Sequence, residues 1–116
     1  MSEKQFIERV SETCGRTVYY WHEGNYAVQN YPNPYGLQLR FRELGTNELY
    51  ADIYLPKSDK WLLLFWHPKP QQPNHPEYCF HLQENTDVDG PEGIIDHAYS
   101  KTLQGCLNAL KRLLNE

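Results

Sequence analysis

Four side chains within fifteen residues, His67, His75, Cys79 and His81, carry the nitrogen and sulfur donors that zinc and other transition metals take up. Cys79 and His81 stand two apart, so on a strand they project from one face, and the proline-rich segment before them could fold the upstream histidines toward the same point. Loaded with metal, such a set would suit a hydrolase or nuclease. The spacing matches no zinc pattern, however, and histidines in loops are commonly solvated. The expectation is therefore no cofactor, with zinc or another transition metal as the alternative.

Other fragments of chemistry are less complete. Cys79 with His81 or His75, and Ser100 with His97, pair a nucleophile with a base, but no glycine elbow, oxyanion motif or phosphate-binding loop accompanies them. An enzyme is possible but nothing demands one, and the balance of the reading is against it. Asp87-Val-Asp-Gly-Pro-Glu92 resembles a calcium loop in its alternate acids but lacks the third acid, and Ala98 stands where an EF-hand needs glutamate; it reads as a solvated loop. Pro70-Gln-Gln-Pro73 and Pro73-Asn-His-Pro76 have polyproline spacing, although proline loops more often just cross a sheet end.

The elements that must position these residues are clearest over residues 37–67. Apolar residues alternate at Leu37, Leu39 and Phe41, and again at Leu49, Ala51, Ile53 and Leu55, which marks two half-buried strands. Both apolar sets fall on odd numbers, and residues directly opposite each other share a face. An antiparallel pair therefore requires a three-residue loop, Gly45-Thr46-Asn47, which sets Arg40 opposite Asp52 and Arg42 opposite Tyr50. Residues 60–66 are apolar on both sides and read as an interior strand. Pro56-Lys57-Ser58-Asp59 makes the turn, with Leu55 opposite Lys60 and Ile53 opposite Leu62.

That register gives the sheet two unlike faces. One is aliphatic; the other gathers Arg40, Arg42, Tyr50, Tyr54, Trp61 and Phe65. If one helix covers each face, these aromatics are core. If the aromatic face stays open, it offers residue types enriched at binding hot spots, and aromatics on which bases could also stack.

Around this centre, residues 2–14 read as a helix capped by Ser2 with Gln5 as the capping-box partner, striped by Phe6, Ile7, Val10 and Cys14 and stopped at Gly15. Residues 16–22 and 26–31 read as a hairpin with a tight Gly24-Asn25 turn. Residues 77–82 form a short strand, 84–96 a surface loop with five acids and no lysine or arginine, and the chain ends in a helix whose stripe runs from Tyr99 to Leu114 with Ser100 as cap. The expected fold is an α+β single domain over residues 1–116: an antiparallel meander of five to six strands with an N-terminal and a C-terminal helix packed on it.

Three cysteines without a CxxC pair fit a reducing compartment, and no apolar run reaches the length of a membrane span. A cytoplasmic, soluble protein with no membrane partner is expected. The functional reading is a small module that binds a protein partner, in an inhibitor, immunity or antitoxin-like role, through the aromatic face and the acidic residues Asp87, Asp89 and Glu92. Its rivals are a single-stranded nucleic-acid binder on the same face, which the net charge of −4 disfavours, and the metal-dependent hydrolase or nuclease above.

Overall fold

A computed structural model describes residues 1–20, 26–29, 32–44, 48–67 and 79–116. Helix α1 spans Glu3–Thr13, and strands β1 (Val18–Tyr20) and β2 (Tyr26–Val28) pair as a separate two-stranded sheet. Strands β3 (Gln38–Leu44), β4 (Glu48–Leu55), β5 (Lys60–Trp66), β6 (Phe80–Asn85) and β7 (Ile94–Ser100) form an antiparallel meander in chain order, and α2 (Leu103–Leu114) closes the chain. The fold is α+β, as the sequence predicts. No helix among the described residues is long and apolar enough to cross a membrane.

The central register is the predicted one. Arg40 lies opposite Asp52, Arg42 opposite Tyr50, Ile53 opposite Leu62 and Leu49 opposite Trp66. The loop residues 45–47 lie outside the described residues, but strands ending at 44 and resuming at 48 have the pairing such a loop requires. At the next turn Asp59 takes a left-handed φ of 52°, and the Tyr54 hydroxyl donates to its Oδ1 at 2.8 Å.

Both helices lie on the aliphatic face. Phe6, Ile7, Val10 and Cys14 of α1 and its cap join Leu103, Cys106, Leu107 and Leu110 of α2 in one core with Ile53, Leu62, Leu64 and Leu82 of the sheet. Phe6, completely buried, stacks on Trp66 at 5.6 Å and meets Phe41 edge-on at 6.1 Å. The capping box of Ser2 and Gln5 is formed. At the other end Gly15, with φ of 70°, gives its N–H to Glu12 while Arg16 gives its own to Ser11, a Schellman motif.

Differences from expectation concern one register, the extent of several strands and the cap of α2. The β1–β2 register pairs Tyr20 with Tyr26 and Val18 with Val28, whereas a two-residue Gly24-Asn25 turn would pair Glu23 with Tyr26. Residues 21–25, with the predicted turn, lie outside the described residues; the register of the described strands differs from the one that turn would set. It brings Val18, Tyr26 and Val28 together against the core, which outweighs a local turn preference. Residues 84–85 and 94–96 are strand rather than loop, leaving 86–93 as the connection between β6 and β7. Finally, α2 is capped by Thr102, whose hydroxyl accepts from the Gly105 N–H, and not by Ser100; Tyr99 belongs to β7. Gly105 packs tightly against the end of β7, because a Cβ there would collide with Ser100.

All three thiols are free. Cys14 and Cys106 are fully buried, and burial pushes each from an ordinary 9.0 up to about 12, opposed at Cys14 by the Arg16 guanidinium and at Cys106 by a hydrogen bond to the Leu82 backbone. A thiol reagent at neutral pH is expected to label Cys79 alone in the native protein and all three residues in denaturant; equal native labelling would contradict this. Between pH 9 and about 12 the unfolded chain releases these two protons while the folded one retains them, so stability falls as pH rises through that window.

Candidate functional site

The face opposite the helices carries the aromatic residues. On β3 and β4 it displays Arg40, Arg42, Tyr50, Asp52 and Tyr54, and the register adds Trp61, Leu63 and Phe65 of β5, then His81 and Gln83 of β6. Arg40 and Trp61 therefore share a side, and no helix covers it among the described residues.

Period-two alternation alone aims these side chains outward, and the pairing then places them in rows. One row crosses four strands. Tyr50 lies 5.4 Å from Phe65, Phe65 5.8 Å from His81, and His81 4.2 Å from Tyr99, with ring planes within 31° of parallel at each step. Near-parallel rings this close have no room to lie side by side in one plane, so they stand on the sheet with their faces turned to one another. His67 adds a further ring on Phe65, at 5.9 Å and 7°. Tyr54 and Trp61 form a second stack at 4.4 Å. Ring edges and their polar atoms, rather than ring faces, are what the rows offer to a ligand.

Charged groups border the rows. The Asp52 carboxylate sits between Arg40 and Arg42 at 3.7 and 3.6 Å, with its Oδ1 lacking a hydrogen-bond partner among the described residues. The predicted pair is thus a three-membered cluster. Toward β7, His81 Nε2 lies 2.9 Å from Asp96 Oδ1; an ionised carboxylate only accepts, so this nitrogen carries the proton. The same bond geometry ties His97 of β7 to Glu84 of β6 at 3.0 Å, on the helix side of the sheet. At the far end the Tyr54 hydroxyl has its pKa raised above the ordinary value, chiefly by its hydrogen bond to Asp59 and least by the charge of Asp87 in the acidic connection.

No protein-family model, curated protein or solved structure matches this chain.

Of the residues singled out from sequence, the structure brings Tyr50 and Phe65 into the long row, Tyr54 and Trp61 into the short one, and Arg40 and Arg42 onto their margin. Asp87, Asp89 and Glu92 are exposed in the connection 86–93, which is ordered by bonds from Thr86 N–H to Gly93 and from Gly93 N–H to Gly90. The metal candidates are separated in role. His67 and His81 stack on Phe65, Cys79 packs against the core, and His75 lies outside the described residues, as do the polyproline spacings. Among the described residues no three His, Cys, Asp or Glu side chains are grouped to hold a metal ion. Ser100 and His97 do not meet as a catalytic pair: Ser100 Oγ accepts from Thr102 N–H and His97 is held by Glu84.

Sequence reasoning missed His81, Tyr99 and Asp96 as members of the face. Extending the meander register through Phe65 would have found His81. Tyr99 had no such signal, because a bulge sets Leu82 opposite Ala98 but Gln83 opposite Asp96, leaving His97 as an extra residue that breaks alternation.

Proposed function

We propose that this chain is a small protein-binding module whose docking surface is the aromatic face, with the acidic connection 86–93 at its margin. The observation that carries the reading is the row Tyr50–Phe65–His81–Tyr99, assembled on the face away from both helices and covered by no helix among the described residues. Rigid aromatic side chains with hydroxyl and imidazole groups at their rims supply contact area at low entropic cost, as binding hot spots and paratopes do. An inhibitor, immunity or antitoxin-like role is the form that suits a small acidic module of this kind.

The same geometry disfavours single-stranded nucleic acid. Base stacking needs open ring faces, and here the inner faces are taken by neighbouring rings. The net charge of −4 adds to this, since phosphate contacts supply most of such affinity.

The test combines affinity capture with fluorescence anisotropy. A Tyr50→Ser/Phe65→Ser variant, verified as folded by circular dichroism, should lose a specific protein partner that a Lys4→Glu variant on α1 retains, the loss exceeding tenfold in affinity. Mixed-sequence RNA and DNA at low salt should not bind. Partners retained equally by both variants, or micromolar oligonucleotide binding that the row variant abolishes, would overturn the proposal.

A further inference from the structure

The two edges of the five-stranded sheet are unlike. Beside β3 lies β2, across a shallow groove of about 430 Å³ that Tyr26 and Val28 line from one side and Phe41 from the other. Beside β7 there is no further strand among the described residues. Exposed edges are normally blunted by lysine, proline or shortness. β7 is seven residues long, contains neither lysine nor proline, and leaves Ile94, Ile95 and Tyr99 exposed at 45, 43 and 45%. Its one irregularity is the bulge at His97, which leaves extended backbone on either side.

The chain segment that forms this edge and its preceding connection is acidic, with Lys60 and Arg112 beside His97 on the helix side. Residues 84–100 hold five carboxylates and no lysine or arginine. Glu84 and Asp96 are engaged by histidines, so Asp87, Asp89 and Glu92 remain to meet a ligand, with Val88 exposed at 57% among them.

We propose that β7 takes up an extended segment of the partner protein as a sixth strand of the sheet, and that this segment is basic with apolar residues at alternate positions. Ladder hydrogen bonds to the open edge would provide affinity, Ile94 and Tyr99, which share the aromatic face, would receive the apolar side chains, and the acidic connection would hold the basic ones. The inference rests on the protein-binding reading, and adds to it where the partner enters and what its chemistry is.

The probe is an alternating lysine–valine decapeptide, compared with its glutamate–valine counterpart, added to the full ¹⁵N-labelled chain. The lysine peptide should bind saturably, shift the amides of residues 94–100 and slow their hydrogen exchange, while the glutamate peptide should bind at least tenfold more weakly. Ile95→Lys, which places a gatekeeping charge on the edge, and the neutralised loop Asp87→Asn/Asp89→Asn/Glu92→Gln should each weaken binding about tenfold. Equal binding of both peptides, shifts confined to the aromatic row, no binding at millimolar peptide, or self-association of the chain through β7 would overturn the inference. A captured partner that depends on Tyr50 and Phe65 but ignores Ile95→Lys would sink the edge proposal and leave the protein-binding reading standing.

Discussion

Arg16→Met is expected to destabilise the protein by about 3 kcal/mol, although the side chain sits at no candidate site. Arg16 is 6% exposed, and its guanidinium donates to the Gln29 carbonyl at 2.6 Å and the Leu37 carbonyl at 2.9 Å. It thereby ties the segment after β2 to the start of β3, just beyond the Schellman turn that ends α1. Methionine keeps much of the volume but offers no donor. Leu37 would still accept from Asn33 Nδ2, at 2.8 Å, whereas the Gln29 carbonyl would lose the bond from Arg16 Nε. Charge-assisted hydrogen bonds contribute roughly 1.5–3 kcal/mol each, so two of them outweigh the apolar gain. Urea denaturation should show the loss as a lower midpoint at unchanged slope. Arg40→Met, at a side chain 60% exposed, should stay within about 1 kcal/mol. Similar small values for both would contradict the clamp.

Phe6→Ala is expected to cost about 4 kcal/mol. The ring is wholly buried, stacked on Trp66 of β5 and edge-on to Phe41 of β3, so truncation opens a cavity bounded by a helix and two strands that cannot all collapse into it. Thermal or chemical denaturation measures the loss. The variant also locates α1: if the helix lay on the aromatic face instead, Phe6→Ala would disturb the ring signals of Tyr50 and Phe65 and leave those of Phe41 and Trp66 unchanged. The reverse pattern is expected.

The centre of the sheet was legible in the sequence because period-two patterns in two neighbouring strands restrict the loop between them. Odd-numbered apolar sets on both sides of Gly45-Thr46-Asn47 admit a single parity, and Arg40 facing Asp52 follows from it. Where alternation failed, so did the reading. Adjacent Ile94 and Ile95, the extra His97 and the acids before them disguised an edge strand as a solvated loop, and moved Tyr99 into a helix it does not join. Arg16 gave no sign of its burial, since an arginine after a helix stop reads as solvated until the chain beyond it is placed. Which face the helices take was likewise beyond pattern reasoning: the stripe on α1 says that it packs, whereas its contact with α2 and the shared core decide where. An arginine bond between the helices, Arg9 to Gln104 at 2.9 Å, depends on that placement.

The aromatic face as docking surface is tested most directly by ring ¹³C–¹H spectra recorded with a soluble paramagnetic agent, in the free chain and with its captured partner. In the free chain the ring signals of Tyr50, Phe65 and Tyr99 should broaden while those of Phe6 and Phe80 persist, and the partner should restore the first set. Rings of the row that are already protected in the free chain, or a bound partner that leaves them as exposed as before, would contradict it.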